Sequence, residues 1–257
     1  MKKLLTLLAF TAPLSAQAQE AGELVSFVSC PVYRDTDQGR KSGCWLTTDA
    51  ASGQQWDVSH SPYKPNWDYA IFVEGRVSEE GEDACGAPVL EPVRTSRLLD
   101  IDCTRHMIPA EGYPGRFFIA PERYITPLAR RPEAPEGPFE ERTFYAFFEF
   151  DRDFLVYQYS DFIVQQAAYW IEAAQPRRLV VTGYAATDPI TVSGVELAES
   201  PEIAQARAEN VALTLSRLLP GMEIVTRWET GSQPMDLSDA DTIPGQSQRR
   251  VEIKVEF

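Results

Sequence analysis

The sequence predicts an α+β protein in two parts: a small, disulfide-bonded, β-rich domain followed by a two-layer sandwich with the order βαβαββ. Three observations predict it. The four cysteines, Cys30, Cys44, Cys85 and Cys103, all lie in the first part of the chain. A stretch rich in proline and charge, 126–142, separates that part from the rest. Beyond it the apolar spacing switches between the period of a strand and that of a helix, as layered α+β folds require.

Residues 1–18 read as a secretory signal peptide. Lys2 and Lys3 form a basic start, Leu4 to Leu14 a short apolar core, and Ser15-Ala16-Gln17-Ala18 the small-x-small pattern before a cut ahead of Gln19. That core is too short to span the ~30 Å of bilayer hydrocarbon. No cysteine stands at the cut, so no lipid anchor is expected, and no later apolar run is long enough to span. The expected mature chain is therefore exported and soluble. Its formal charge is acidic, -14 for the whole sequence. Phosphate backbones and anionic lipid call for a basic surface, so nucleic acid and anionic membranes are excluded as partners.

Residues 19–125 form the expected β-rich domain. An even number of cysteines in an exported chain points to two disulfides. Three connectivities are open, and Cys30–Cys44 with Cys85–Cys103 is favoured because each closes a short local loop. The cysteines lack the close pairs of a zinc site, so neither metal nor cofactor is expected. Strands are expected at 23–30, 69–77 and 97–103, and Gly- and Pro-rich turns between them suggest a small sandwich or barrel. Trp45, Trp56, Tyr63 and Trp67 either fill its core or form a binding face. Asp57, Ser59 and His60 tempt one toward a catalytic triad, but triads are built across a fold rather than from sequence neighbours. No Gly-x-Ser-x-Gly turn occurs, and no enzyme is expected.

In 126–142, Pro127, Pro132, Pro135 and Pro138 recur among charged residues, which makes an extended, semi-stiff spacer. The second domain, 143–257, opens with the aromatic strand Thr143–Phe150. A helix follows with Ile163, Ala167, Trp170, Ile171 and Ala174 as its apolar stripe. Leu179–Thr182 is a second strand, ended by Gly183. A second helix over 201–219 starts at Ser200-Pro201, with Ile203, Ala206, Val211, Leu215 and Leu218 as the buried face and Arg207 on the exposed side. Residues 223–229 and 250–257 complete the sheet.

The turn after Gly183, the Arg207-Ala208 pair with Val211, and the closing Gln248-Arg249-Arg250-Val251-Glu252 together resemble the OmpA-like peptidoglycan-binding domain of bacterial envelope proteins. The resemblance covers about 143–257. It implies a two-layer βαβαββ sandwich and non-covalent binding of the diaminopimelate in the peptide stem of peptidoglycan. Asp188 would face the ligand ammonium and Arg207 its carboxylate; Thr187, Ser200, Gln248, Arg249 and Arg250 would line the same edge. The chain departs from the family pattern. Its turn, Gly183-Tyr-Ala-Ala-Thr-Asp188, is longer, and an alternative register puts Ala185-Ala186 where Thr-Asp should stand. Ser200 and Gln248 stand where the family has Asn, and Ile203-Ala204 where it has Leu-Ser.

The resemblance therefore implies a periplasmic protein of the cell envelope, associated with the wall and the outer membrane, with other envelope proteins as possible partners of the first domain. The alternative is an envelope scaffold whose OmpA-like fold contacts protein and no longer binds peptidoglycan.

Overall fold

The computed structural model describes residues 20–38, 43–82, 85–115, 135–155, 160–235 and 243–257. The signal peptide expected at 1–18, the segment 116–121, and the spacer over 126–134 lie outside these residues.

The first unit is one sheet of seven strands. β1 (Leu24–Ser29), β2 (Val32–Arg34), β3 (Cys44–Thr48), β4 (Gln55–Asp57), β5 (Tyr69–Glu82), β6 (Pro88–Asp102) and β7 (Met107–Ile108) lie in the order β1-β5-β6-β4-β3-β2-β7. Among the described residues the sheet is open, with edges at β1 and β7, where the sequence suggested a sandwich or barrel. β5 and β6 form a long antiparallel hairpin; β1 pairs along β5, and a single parallel pairing, Asp57 with Val89, joins the hairpin to β4, β3, β2 and β7. Alternation decides the faces. Val25, Phe27, Ile71, Val73 and Val93 enter one core with Trp56 and Val58. Trp56 and Tyr63 are core residues. Trp45 and Trp67 are half-buried and meet Tyr33 in a ring of edge-on and tilted contacts near 5.3 Å.

The disulfides correct the favoured pairing. Cys30 bonds Cys103 and Cys44 bonds Cys85, with Cα atoms 5.8 and 6.2 Å apart. Ser29 pairs with Ile71 and Tyr69 with Asp102, so the chain just past β1 and just past β6 meets at one end of the sheet, on either side of β5. Strand register, rather than loop length, chose the partner.

The second unit has β8 (Thr143–Phe147), α1 (Ser160–Ala174), β9 (Arg178–Ala185), β10 (Ile190–Val192), β11 (Val195–Leu197), α2 (Glu202–Leu218), β12 (Glu223–Thr230), the short α3 (Pro244–Ser247) and β13 (Arg250–Glu256). The four-stranded sheet runs β12-β9-β13-β8. β9 and β12 are parallel, and β13 is antiparallel to both its neighbours. Leu179, Val181, Val251, Ile253 and Val255 pack under Val164, Ala167 and Ile171 of α1 and Val211 and Leu215 of α2. The expected two-layer sandwich is present. Gly183 is required by close approach: a Cβ there would collide with the Ala204 carbonyl of α2. The end of the predicted spacer belongs to this unit, because Phe139 packs on Trp170 at 5.4 Å and the Arg142 carbonyl accepts the Val255 N–H.

Two local expectations change. Ser200 forms no backbone cap; Pro201 holds the cap position and the Ser200 hydroxyl contacts the Glu202 carboxylate. The buried face of α2 is Ala204, Arg207, Ala208, Val211 and Leu215, while Leu218 is exposed. The face is turned because Arg207 points inward.

The sequence did not announce the hairpin β10–β11, which is the extra length between β9 and α2. Its apolar side does not face its own unit. Val192 and Leu197 pack with Phe72 and Leu98 of the first unit, joined by Val28, Ile101 and Phe150. Around this apolar seam the Ser193 hydroxyl accepts the Val28 N–H at 3.0 Å and the Ser96 hydroxyl the Phe150 N–H at 2.9 Å. Arg249 pairs with Glu74 across it, both nearly buried. The two units thus share a packed interface.

A candidate carboxylate site

Three segments of the second unit converge beside the seam: the loop after β8, the end of β9, and the first turns of α2. Arg207 reaches into their junction and is fully buried. Its five N–H donors are all used. Nε donates to the Arg152 carbonyl at 2.7 Å. Nη1 donates to the Tyr184 carbonyl at 2.8 Å and to Glu199 Oε2 at 2.9 Å. Nη2 donates to the Glu149 carbonyl at 3.1 Å and to Glu199 Oε1 at 2.6 Å. The Phe148 ring lies 5.1 Å from the guanidinium carbon.

Glu199, 3% exposed, is the other half of the site. Besides the two-pronged contact with Arg207, its Oε2 accepts the Ala186 N–H and its Oε1 the Asp151 N–H, each at 2.8 Å. Each oxygen therefore accepts one charged and one backbone donor, close to the capacity of a carboxylate. The cradle that holds it is a carboxylate receptor: one guanidinium fork and two backbone N–H groups in a site without water contact. Asp151 adopts a left-handed backbone, φ 52°, in the loop that supplies one of these N–H groups. Asn210 ties the same loop to α2 by donating to the Asp153 carbonyl and carboxylate, each at 3.1 Å.

Apart from Arg207, the residues singled out in the sequence are dispersed. Ala186, two residues before Asp188, reaches the carboxylate, and Asp188 itself is exposed. Asp188 and Thr187 lie against the turn at Gly231, where a Cβ would stand 3.9 Å from the nearest oxygen of each. Ser200 is exposed at the start of α2. Gln248 exchanges hydrogen bonds with Ser232, its Nε2 donating to the Ser232 carbonyl at 2.8 Å and its own carbonyl accepting the Ser232 hydroxyl at 2.6 Å. Arg249 turns to Glu74, with Nη1 also donating to the Gly245 carbonyl at 3.0 Å. Arg250 lies over the Tyr184 ring at 4.1 Å and pairs with Glu252 at 2.8 Å. Both arginines are buried and held in ion pairs, Arg249 with Glu74 and Arg250 with Glu252. Burial and the nearby Glu252 and Glu229 carboxylates push the Tyr184 hydroxyl up to about 12.

Glu149 stands between the two ion pairs. Burial pushes its carboxyl up to about 7, against the pull of Arg97, Arg152 and Arg249. The sequence reading passed over Glu149, Glu199 and Glu74. Glu74 had a signal: it is an acid at the end of the unbroken apolar run Ala70-Ile-Phe-Val73, where a charge requires a buried partner. Glu199 had none, being one acid among several in a loop.

In the first unit, Asp57, Ser59 and His60 do not converge. Asp57 accepts the Ser59 N–H at 2.8 Å, the Ser59 hydroxyl accepts the Trp45 N–H at 2.7 Å, and His60 pairs with Glu91 at 2.6 Å. Cys44, Asp57 and Cys85 place three ligating atoms within 4.8 Å of one another, but the two sulfurs are joined in the disulfide.

No family model matches the chain. No curated protein matches it in sequence. Among solved structures, the chain is similar to the OmpA-like domain of FopA1 from Francisella tularensis, with 19% identity, a TM-score of 0.34, and coverage of 45% of this chain and 71% of that one. It is similar to the cell wall anchor of the type VI secretion system from Pseudomonas aeruginosa, with 18% identity, a TM-score of 0.34, and coverage of 45% and 81%. It is also similar to the peptidoglycan-associated lipoprotein from Burkholderia pseudomallei, with 21% identity, a TM-score of 0.32, and coverage of 44% and 90%. The C-terminal unit is a mixed four-stranded sheet with two long helices on one face, joined to a disulfide-bonded β sheet.

Proposed function

We propose that this chain is a periplasmic cell-envelope protein that binds peptidoglycan non-covalently through its C-terminal unit, and that the ligand group is the diaminopimelate of the stem peptide. The observation that carries the reading is the cradle at Arg207, whose fork and two backbone N–H groups fit both oxygens of one carboxylate. The free end of diaminopimelate bears an ammonium on the carbon next to its carboxylate. Asp188, exposed two residues past the cradle's Ala186, is the acid for that ammonium. In this reading Thr187, Ser200, Gln248, Arg249 and Arg250 belong to the ligand edge only as the resemblance implies. No turnover belongs to this reading.

One observation favours the scaffold reading: Arg207 has no spare donor and Arg249 is committed to Glu74, so both cations are neutralised within the chain. Co-sedimentation with purified sacculi separates the two. In the peptidoglycan reading the exported protein sediments, free meso-diaminopimelate competes it off, and Asp188→Ala weakens retention roughly tenfold or more, as loss of one partner of a charge pair does. Folded protein that stays in the supernatant supports the scaffold reading instead.

A further inference from the structure

The cradle and its occupant come from different parts of the fold. The donors belong to the loop after β8, the end of β9 and α2, all built on the sheet and helices of the second unit. Glu199 belongs to none of these. It sits in the irregular link between β11 and α2, two residues beyond Leu197. The link is held at Glu199 by its N–H, which donates to the Ala186 carbonyl at 3.0 Å, and at its start by the hairpin, which is held by the other unit: Val192 and Leu197 pack on Phe72 and Leu98, and Ser193 bonds Val28. None of the cradle's donors is carried by the segment that carries Glu199.

We infer that Glu199 is a displaceable internal occupant of a carboxylate receptor, and that docking of the β10–β11 hairpin on the β5–β6 sheet holds it there. An external carboxylate, of the kind that ends an amino acid or peptide side chain, then competes with a tethered one. The tethered group wins while the hairpin is docked, because its effective concentration is high and its four hydrogen bonds are already made. Whatever loosens the seam raises the fraction of open cradle, and apparent affinity rises in proportion to that fraction. The first unit therefore acts as the latch on the second unit's ligand site. The identity of the natural carboxylate rests on the reading given above; the plug and latch do not.

The test uses the full mature chain. Glu199→Ala leaves the Arg207 charge buried without its carboxylate, with only the Arg152, Tyr184 and Glu149 carbonyls as acceptors, so its melting temperature should fall. Formate or acetate at tens of millimolar should restore much of that loss, chloride at equal ionic strength should not, and wild type should respond to neither. By calorimetry, meso-diaminopimelate should bind Glu199→Ala at least roughly tenfold more tightly than wild type, since the plug no longer competes. Val192→Asp tests the latch without touching the cradle: it puts a charge into the apolar seam and should also raise diaminopimelate affinity over wild type. If Glu199→Ala fails to fold even in formate, the Val192→Asp measurement decides. A folded Glu199→Ala that formate does not rescue, or affinities unchanged in both variants, overturns the inference. Formate rescue without any sacculus binding leaves the plug standing and removes the peptidoglycan reading; sacculus binding by wild type without rescue does the reverse.

Discussion

The two sheets of this protein bury their strands differently. In the C-terminal sheet the closing strand β13 alternates. Val251, Ile253 and Val255 face the helices, while Arg250, Glu252, Lys254 and Glu256 occupy the other face in ion pairs. In the N-terminal sheet β5 is buried without a break from Ala70 to Gly75. Its odd-numbered side chains, Ile71 and Val73, enter the sheet's own core; its even-numbered ones, Phe72 and Glu74, meet the second unit. A strand apolar on both faces is covered on both faces. The unbroken run at 70–73 was therefore a signature of the interface as well as of a strand. The sheets also differ in what closes them, since both disulfides lie in the first and neither touches the second.

The largest expected effect sharpens that last difference. The disulfides close loops of 73 and 41 residues, each worth about 4 kcal/mol in the chain-entropy model. Reduction should unfold the first unit well before the second. Intrinsic tryptophan fluorescence follows this, because Trp45, Trp56 and Trp67 lie in the first unit and Trp170 and Trp228 in the second. Peptide mapping of the unreduced protein should return Cys30–Cys103 and Cys44–Cys85; recovery of a Cys30–Cys44 peptide contradicts the fold.

Next come the two buried arginine pairs, one inside a unit and one between units. Breaking either leaves a buried charge and should cost roughly 3–5 kcal/mol, but where the loss appears should differ. Arg207→Ala should lower the melting point of the C-terminal unit itself, so it is no clean probe of ligand binding. Glu74→Ala should leave each unit folded and release the seam. After proteolytic nicking within 126–134, the wild-type fragments should co-elute in gel filtration and the Glu74→Ala fragments should separate. Co-elution of both would mean that the apolar cluster alone holds the seam.

The smallest effect is one of pH. Glu149 has a carboxyl raised from 4.5 to about 7 by burial. The folded state thus binds its proton more tightly than the unfolded state does. Its contribution is fully present below about pH 4.5 and is lost as pH rises through about 7. Over that window stability should fall by roughly 2–3 kcal/mol from this group, and Glu149→Gln should flatten the slope in urea titrations at pH 5.5 and 7.5. A slope unchanged by the substitution would assign it elsewhere.

Much of the C-terminal fold was legible because its elements are locally encoded. Gly183, Pro176 and Pro201 punctuate it, and the apolar periods of β9, β13 and α1 match their elements. Arg207 was picked out, but its direction was not. A charged residue beside Ala206 and Ala208 reads as surface, and only a partner eight residues earlier, folded back by a hairpin, lets it go inside. The hairpin itself was hidden because its apolar side chains, Val192 and Leu197, face a surface that lies more than 90 residues away in sequence.

By itself the sequence determined the class of each half, the presence of two disulfides and the two-layer sandwich. These follow from local propensity, from periodicity and from the residue types that chemistry needs. Only the tertiary structure decided which cysteine meets which, that Glu199 pairs with Arg207, that Arg249 crosses to Glu74, and that the inserted hairpin binds the two units together. Each of these is a pairing across long stretches of chain. Such pairings are set by strand register and by the need of a buried charge for its opposite, and neither is written in the neighbours of the residue concerned.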